Sequence, residues 1–142
     1  MLGRLARWLR LLGYDTEYDN HASDLELARR ARAEGRVLLT RDQALAARRG
    51  LQTLLIDSEV LQEQVRQVVE TFGWPAGPAL SRCACCNSPL AEVEAEAVRE
   101  KVPPHVLRTQ ARFWLCQGCG RVYWEGTHID GIRRQVEAFD LE

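Results

Sequence analysis

"RVLLTRDQALAARRGLQTLLID", residues 36–57, decides how the rest of the chain is read. Two apolar runs of strand length, "VLLT" and "TLLI", flank an Ala- and Arg-rich stretch that ends at Gly50. A strand with one face in water alternates apolar and polar residues, whereas a strand covered on both faces reads as an unbroken apolar run. The two runs therefore predict neighbouring strands of a parallel sheet, and "RDQALAARRG" predicts the short helix that links them. In such sheets the working residues gather beyond the strand ends. Asp42 stands close behind "VLLT" and Asp57 directly behind "TLLI".

Toward the N-terminus, Leu2, Leu5, Leu9 and Leu12 share one face of a helix at about 100° per residue, with Arg4, Arg7 and Arg10 on the opposite side. Gly13 ends that helix, and "YDTEY" (14–18) follows as an extended segment. Ser23 or Asp24 can cap a second helix, "DLELARRARAEG", closed by Gly35. Beyond the central stretch, "SEVLQEQVRQVVETFG" (58–73) reads as a longer amphipathic helix. Helix and strand thus alternate over residues 1–73, predicting an α/β layer with helices on both faces of its sheet. The first helix reads as a crossover that a preceding strand should feed, and no residue stands before Met1.

The sequence has 142 residues with a formal charge of -1, 46% hydrophobic and 27% charged. These values fit an ordinary globular chain, and no apolar run approaches the roughly 20 residues of a membrane span. A cytoplasmic protein without a membrane partner is the expectation. The basic opening stretch has no Ser and no cleavage region, which argues against a transit peptide. A near-neutral total argues against holding nucleic acid by bulk charge, although a local basic face can hide within it, so net charge leaves the partner open. "GWPAGPAL" (73–80) holds two Pro and two Gly and reads as a hinge. The expected organisation is a first domain over 1–73, a linker over 74–79, and a second unit over 80–142 with a short terminal helix.

All five cysteines, at 83, 85, 86, 116 and 119, fall in that second unit. Cys83 with Cys86 and Cys116 with Cys119 form two Cys-x-x-Cys pairs, whose spacing lets four thiolates close a tetrahedral shell around Zn²⁺. A closed shell leaves no position for substrate, so the zinc is structural and replaces a core that so short a segment can hardly build. A thioredoxin-type redox pair would need one such pair at a strand-to-helix junction, which two matched pairs in loop-like surroundings do not provide. Cys85 reads as a bystander that a register shift could exchange with Cys86. Phe113, Trp114, Tyr123 and Trp124 serve first as the ribbon's own core. Their alternative use is base stacking on single-stranded nucleic acid, beside Arg112 and Arg121. His128 in "EGTH" could supplement the metal or touch a phosphate.

Asp24, Asp42 and Asp57 sit at element junctions, where carboxylates can converge on Mg²⁺ or Mn²⁺ through hard oxygen ligands. Such ions support phosphodiester cleavage. Each acid alone is equally well a helix cap or a turn residue. Arg41 and the Arg4 and Arg7 face of the first helix could hold a phosphate backbone; Arg29, Arg30, Arg48 and Arg49 read as solvated faces.

Five pieces occurring in order, "MLGRLARWLRLLGYDT", "VLLTRDQAL", "RCACCNSPL", "VPPHV" and "FWLCQGCGRVYWEGTH", resemble the RNase domain named after the C-terminal part of the mut-seven exonuclease. The resemblance spans nearly the whole chain. It implies a PIN-like parallel sheet followed by a four-cysteine zinc ribbon, and divalent-metal-dependent RNA cleavage by a cluster of acids. Asp42 matches the family's acid after a strand, Asp24 the acid opening the second helix, and Asp57 a further acid of PIN-like domains. The four paired cysteines match the ribbon ligands. The strand that precedes "MLG" in the family, with its acid, has no counterpart here, so the first strand is expected to be missing. The expected function is a PIN-like ribonuclease acting on single-stranded RNA, with the ribbon aiding RNA binding. The alternative is a non-catalytic RNA-binding or adaptor module on a degenerate scaffold. An unpaired sheet edge would favour a homodimer, and PIN-like toxins suggest a cognate inhibitor protein.

Overall fold

The computed structural model describes residues 2–75 and 81–124. Most of the expected linker, His128 and the expected terminal helix lie outside the described residues.

The N-terminal layer runs α1 (Gly3–Leu12), α2 (Asp24–Glu34), β1 (Leu38–Thr40), α3 (Gln43–Ala46), β2 (Thr53–Leu55) and α4 (Leu61–Phe72). Gly13 closes α1 at φ 113°, a left-handed conformation that side chains resist. Ser23 caps α2, its hydroxyl accepting from the Glu26 N–H, and Gly35 ends that helix. β1 and β2 pair in parallel, Leu39 opposite Leu54, as the two apolar runs predict. Leu5, Leu9 and Leu12 of α1 pack with Val65, Val68 and Val69 of α4 and with Ile56, and Leu39 and Leu54 pack against this cluster from the sheet. Each fully buried aliphatic side chain contributes roughly 1.5–3 kcal/mol relative to exposure. The Leu stripe of α1 is what anchors the layer.

Three expectations are corrected. The "YDTEY" segment does not join the sheet, which has two strands among the described residues. Its backbone is instead held by a partner far along the chain. The "VLLT" and "TLLI" runs are mostly half-buried, since β1 has no neighbour on its outer edge among the described residues. Finally, α3 is a single turn. Asp42 starts it, but the Arg48–Arg49 pair that follows offers little apolar surface to bury.

Residues 81–124 form a second core. β3 (Leu90–Val93), β4 (Phe113–Cys116) and β5 (Val122–Trp124) make an antiparallel sheet in the order β3-β4-β5. A 3-10 turn at Ala95–Val98 and α5 (Pro104–Thr109) fill the connection between β3 and β4. Pro104 at the first position of α5 lacks an N–H that no helical carbonyl would have accepted. Phe113, at 0% exposure, is packed by Val98, Val102 and Val106, while Trp114 is 8% exposed. Those two rings are core, which favours the packing reading of the aromatic set over base stacking.

Candidate metal centre and acid-lined cavity

Cys83 and Cys86 stand on a hairpin closed by the Arg82–Pro89 bridge and by the Cys83 N–H donating to Ser88 O and the Asn87 N–H to Cys83 O. Asn87 turns the chain at φ 67°, a left-handed conformation that Asn tolerates better than most side chains. Cys116 ends β4, and Cys119 follows in the turn before β5. The N–H groups of Gly118 and Cys119 point at Cys116 Sγ, at 3.3 and 3.4 Å. Gly118 is required by close approach: a Cβ there would lie 2.6 Å from Ser88 Oγ and 3.4 Å from Cys86 Sγ.

The four sulfurs lie within 4.8 Å of one another, with Cys83 to Cys119 at 3.6 Å and Cys86 to Cys116 at 3.4 Å. Tetrahedral Zn–S bonds of about 2.3 Å imply sulfurs about 3.8 Å apart, so the donor set fits a structural zinc. Cys85 is outside the group and its residue is exposed, which removes the register-shift alternative. Tyr123 is tied to the same hairpin: its hydroxyl lies 3.1 Å from Cys83 Sγ and 3.0 Å from the Ala84 nitrogen. Burial beside Cys83 raises the Tyr123 hydroxyl above its ordinary range. Ser88, through its hydroxyl and its N–H, holds the Cys86 thiol down to about 6. Against the lowering effect of the Arg121 N–H, desolvation and the neighbouring sulfurs push Cys119 up to about 12. The Cys86 and Cys119 thiols are thus pushed apart in acidity.

A cavity of about 1210 Å³ opens between α1, α2 and β1. Leu5, Leu9 and Val68 line its apolar part, and residues 37–42 run along it. Asp24 and Asp42 both line this cavity, as does Arg41; Asp57, Arg4 and Arg7 do not. Asp42 caps α3, its Oδ1 accepting from the Ala44 and Leu45 N–H groups at 2.8 and 3.2 Å. Asp57 is exposed behind β2, its N–H donating to Gln67 Oε1. Arg41 reaches Glu59 at 3.3 Å.

Sequence reasoning missed Asp15, Glu17 and Asp19, which line the same cavity from the segment after α1. Arginines pair with these three: Arg36, which also holds Glu34 at 2.8 Å, lies 3.2 Å from Asp15 and 3.7 Å from Glu17, and Arg30 lies 3.2 Å from Asp19. A hydrogen bond from Asn87, ahead of the Arg36 contacts, holds the Asp15 carboxyl below the usual carboxylate range. The N–H of His21, then Arg30, does the same for Asp19. Asp24 and Asp42 take part in no ion pair among the described residues. The acids also do not gather as the cysteines do. Among the described residues, the cysteine set alone brings three or more ligand atoms within 4.8 Å.

Arg10 departs furthest from the sequence reading. It does not share an exposed face with Arg4 and Arg7; it is 7% exposed. Its Nε donates to Thr16 O at 2.7 Å, and one guanidinium nitrogen donates to Ala84 O and Cys85 O at 2.9 and 3.2 Å.

The elements and sites together define a mixed α/β protein with a small parallel sheet and a four-cysteine metal centre on an antiparallel ribbon. Within that class, the family model of the Mut7-C RNAse domain matches residues 1–136, and the chain belongs to this family. Membership gives it a ribonuclease-type function, with RNA as the substrate class. No curated protein and no solved structure gives a significant match. No helix among the described residues is long and apolar enough to cross a membrane.

Proposed function

We propose that the chain is a divalent-metal-dependent ribonuclease of PIN-like type, with Asp24 and Asp42 as its core carboxylates. One observation carries the reading: in a cavity whose other acids from the loop after α1 are paired with arginines, Asp24 and Asp42 have no cationic partner within ion-pair distance among the described residues. Two unneutralised carboxylates on one cavity are hard oxygen donors suited to Mg²⁺ or Mn²⁺. When bound, such an ion supplies Lewis acidity and lowers the pKa of water. The chain's own residues do the rest. Asp24 and Asp42 hold the ion, with Asp42 fixed in direction by its two cap hydrogen bonds, and Arg41 at the cavity edge receives a phosphate of the RNA strand. Arg4 and Arg7, exposed on α1, extend that basic contact, and Asp57 acts from outside the cavity. The zinc ribbon is the scaffold that carries the strand past the cavity.

The test is cleavage of a labelled single-stranded RNA by the zinc-loaded chain in Mn²⁺, with omission of Mn²⁺ as one control and Asp24→Asn as the other. The reading expects turnover in the wild type and its loss in both controls. Turnover that survives Asp24→Asn would refute the assignment. A second reading, a non-catalytic RNA-binding or adaptor module, is favoured by the acids' failure to gather three ligand atoms as closely as the cysteines do. It expects RNA binding without cleavage in every metal.

A further inference from the structure

The loop that forms the acidic wall of the cavity is held by the metal hairpin. Thr16 donates its N–H to Asn87 Oδ1 at 3.0 Å, and Asn87 Nδ2 donates to Asp15 Oδ1 at 2.7 Å and to Glu17 Oε1 at 3.4 Å. Arg82 donates to Asn87 O at 2.9 Å and lies 3.7 Å from Asp15 Oδ2. Arg10, buried, ties Thr16 O to the carbonyls of Ala84 and Cys85 inside the Cys-x-x-Cys loop. Asn87 follows Cys86 directly, and it is 5% exposed. Both the N–H and the carbonyl of Thr16 are therefore satisfied by groups that the cysteine hairpin positions.

We propose that Asn87 and Arg10 are positioning residues that make the 14–17 wall of the acidic cavity depend on metal loading of the four-cysteine site. A Cys-x-x-Cys turn without its ion loses the constraint that fixes two of its four residues. The carbonyls that Arg10 needs, and the left-handed turn that aims Asn87, then lose their geometry. Asp15 and Glu17 are released from the hairpin, and the cavity's charge pattern changes although no residue of the cavity binds zinc. The inference rests on metal binding at the cysteines and stands whether or not the cavity cleaves RNA.

Thr16 itself supplies the readout, because its amide proton is the one donated to Asn87. Amide exchange is measured by NMR on the full chain, zinc-loaded and after removal of zinc with a chelator, together with Asn87→Gly and Arg10→Lys. Glycine suits φ 67° without strain, so Asn87→Gly keeps the hairpin and deletes only the side-chain clamp. Lysine keeps the charge of Arg10 but cannot reach three carbonyls from one planar fork. In the wild type, zinc removal should speed Thr16 exchange by about tenfold or more, the scale of one lost hydrogen bond. Asn87→Gly should do the same with zinc still bound, as checked by the thiolate-to-cobalt absorption of a Co²⁺-substituted sample. Arg10→Lys should fall between, and the Val65 and Val68 amides should remain protected throughout. Unchanged Thr16 exchange on zinc removal, or in zinc-loaded Asn87→Gly, overturns the proposal. So does equal loss of protection at Val65 and Val68, since that would mean the metal holds the whole fold and has no local route to this wall.

Discussion

Replacing Asp42 by Asn and by Ala separates helix capping from metal-dependent cleavage. Its Oδ1 accepts the N–H groups of Ala44 and Leu45, and the helix it opens has only four residues. Ala deletes both bonds, at a cost of about 1 kcal/mol for a lost N-cap. With a urea m-value of about 2 kcal/mol/M, the unfolding midpoint should fall by about 0.5 M. Asn caps as well as Asp does, so its midpoint should stay within about 0.2 M of the wild type. Activity should divide differently. On the proposed function both substitutions remove a charged oxygen ligand, and each should then lower cleavage of labelled RNA in Mn²⁺ by about a hundredfold or more, above the range for residues that only orient a ligand. Both variants are compared with zinc saturating, so that the ribbon contributes equally. Wild-type turnover in the Asp42→Asn variant would refute the reasoning and leave Asp42 as a cap alone. Asn as destabilising as Ala would instead refute the capping estimate.

Cys116→Ser removes one of four thiolates from a buried position and should weaken metal binding at least about a hundredfold, read by the loss of Co²⁺ thiolate absorption. Metal uptake should tighten steadily from about pH 6 to about pH 8 in competition with a chelator. The sign follows from the thiols: Cys86 is held down to about 6 while Cys119 is pushed up to about 12, so protons must leave for the ion to bind, and rising pH removes them. A flat profile would contradict this. Gly118→Ala should reduce metal affinity by forcing Ser88 aside, and adding Ser88→Ala should restore part of it, because the nearest clashing atom is then gone. No recovery would mean that the remaining contacts with Ser88 Cβ and Cys86 Sγ, or the lost Ser88 hydroxyl, outweigh the relieved clash.

Local signals in the chain announced local structure. Ser23 and Gly35 delimit α2 because capping and left-handed closure are decided within a few residues. The Cys-x-x-Cys spacing announced the metal centre for the same reason, since each pair's geometry is set by its own turn. What was illegible depends on distant partners. The rotation of a helix tells where the Arg10 side chain leaves α1, but not that Ala84 and Cys85 wait there with carbonyls. "YDTEY" has the residues of a strand, yet the Thr16 N–H that a sheet partner would have taken is donated to the distant Asn87 side chain. Asp24, at the start of a helix, and Asp42, behind a strand, line one cavity, whereas Asp57, also behind a strand, does not line it. Sequence position at a strand end does not say toward which side of the sheet the next residue turns.

The tie between Thr16 and Asn87 also sets an order on the protein's birth. Synthesis runs at about 5–20 residues per second, so about 4–14 s separate the emergence of these two partners from the ribosome. Throughout that interval α1 carries Arg10 with no hairpin carbonyls to receive it. The N-terminal layer leaves the ribosome first but is finished last, by a hairpin encoded far downstream.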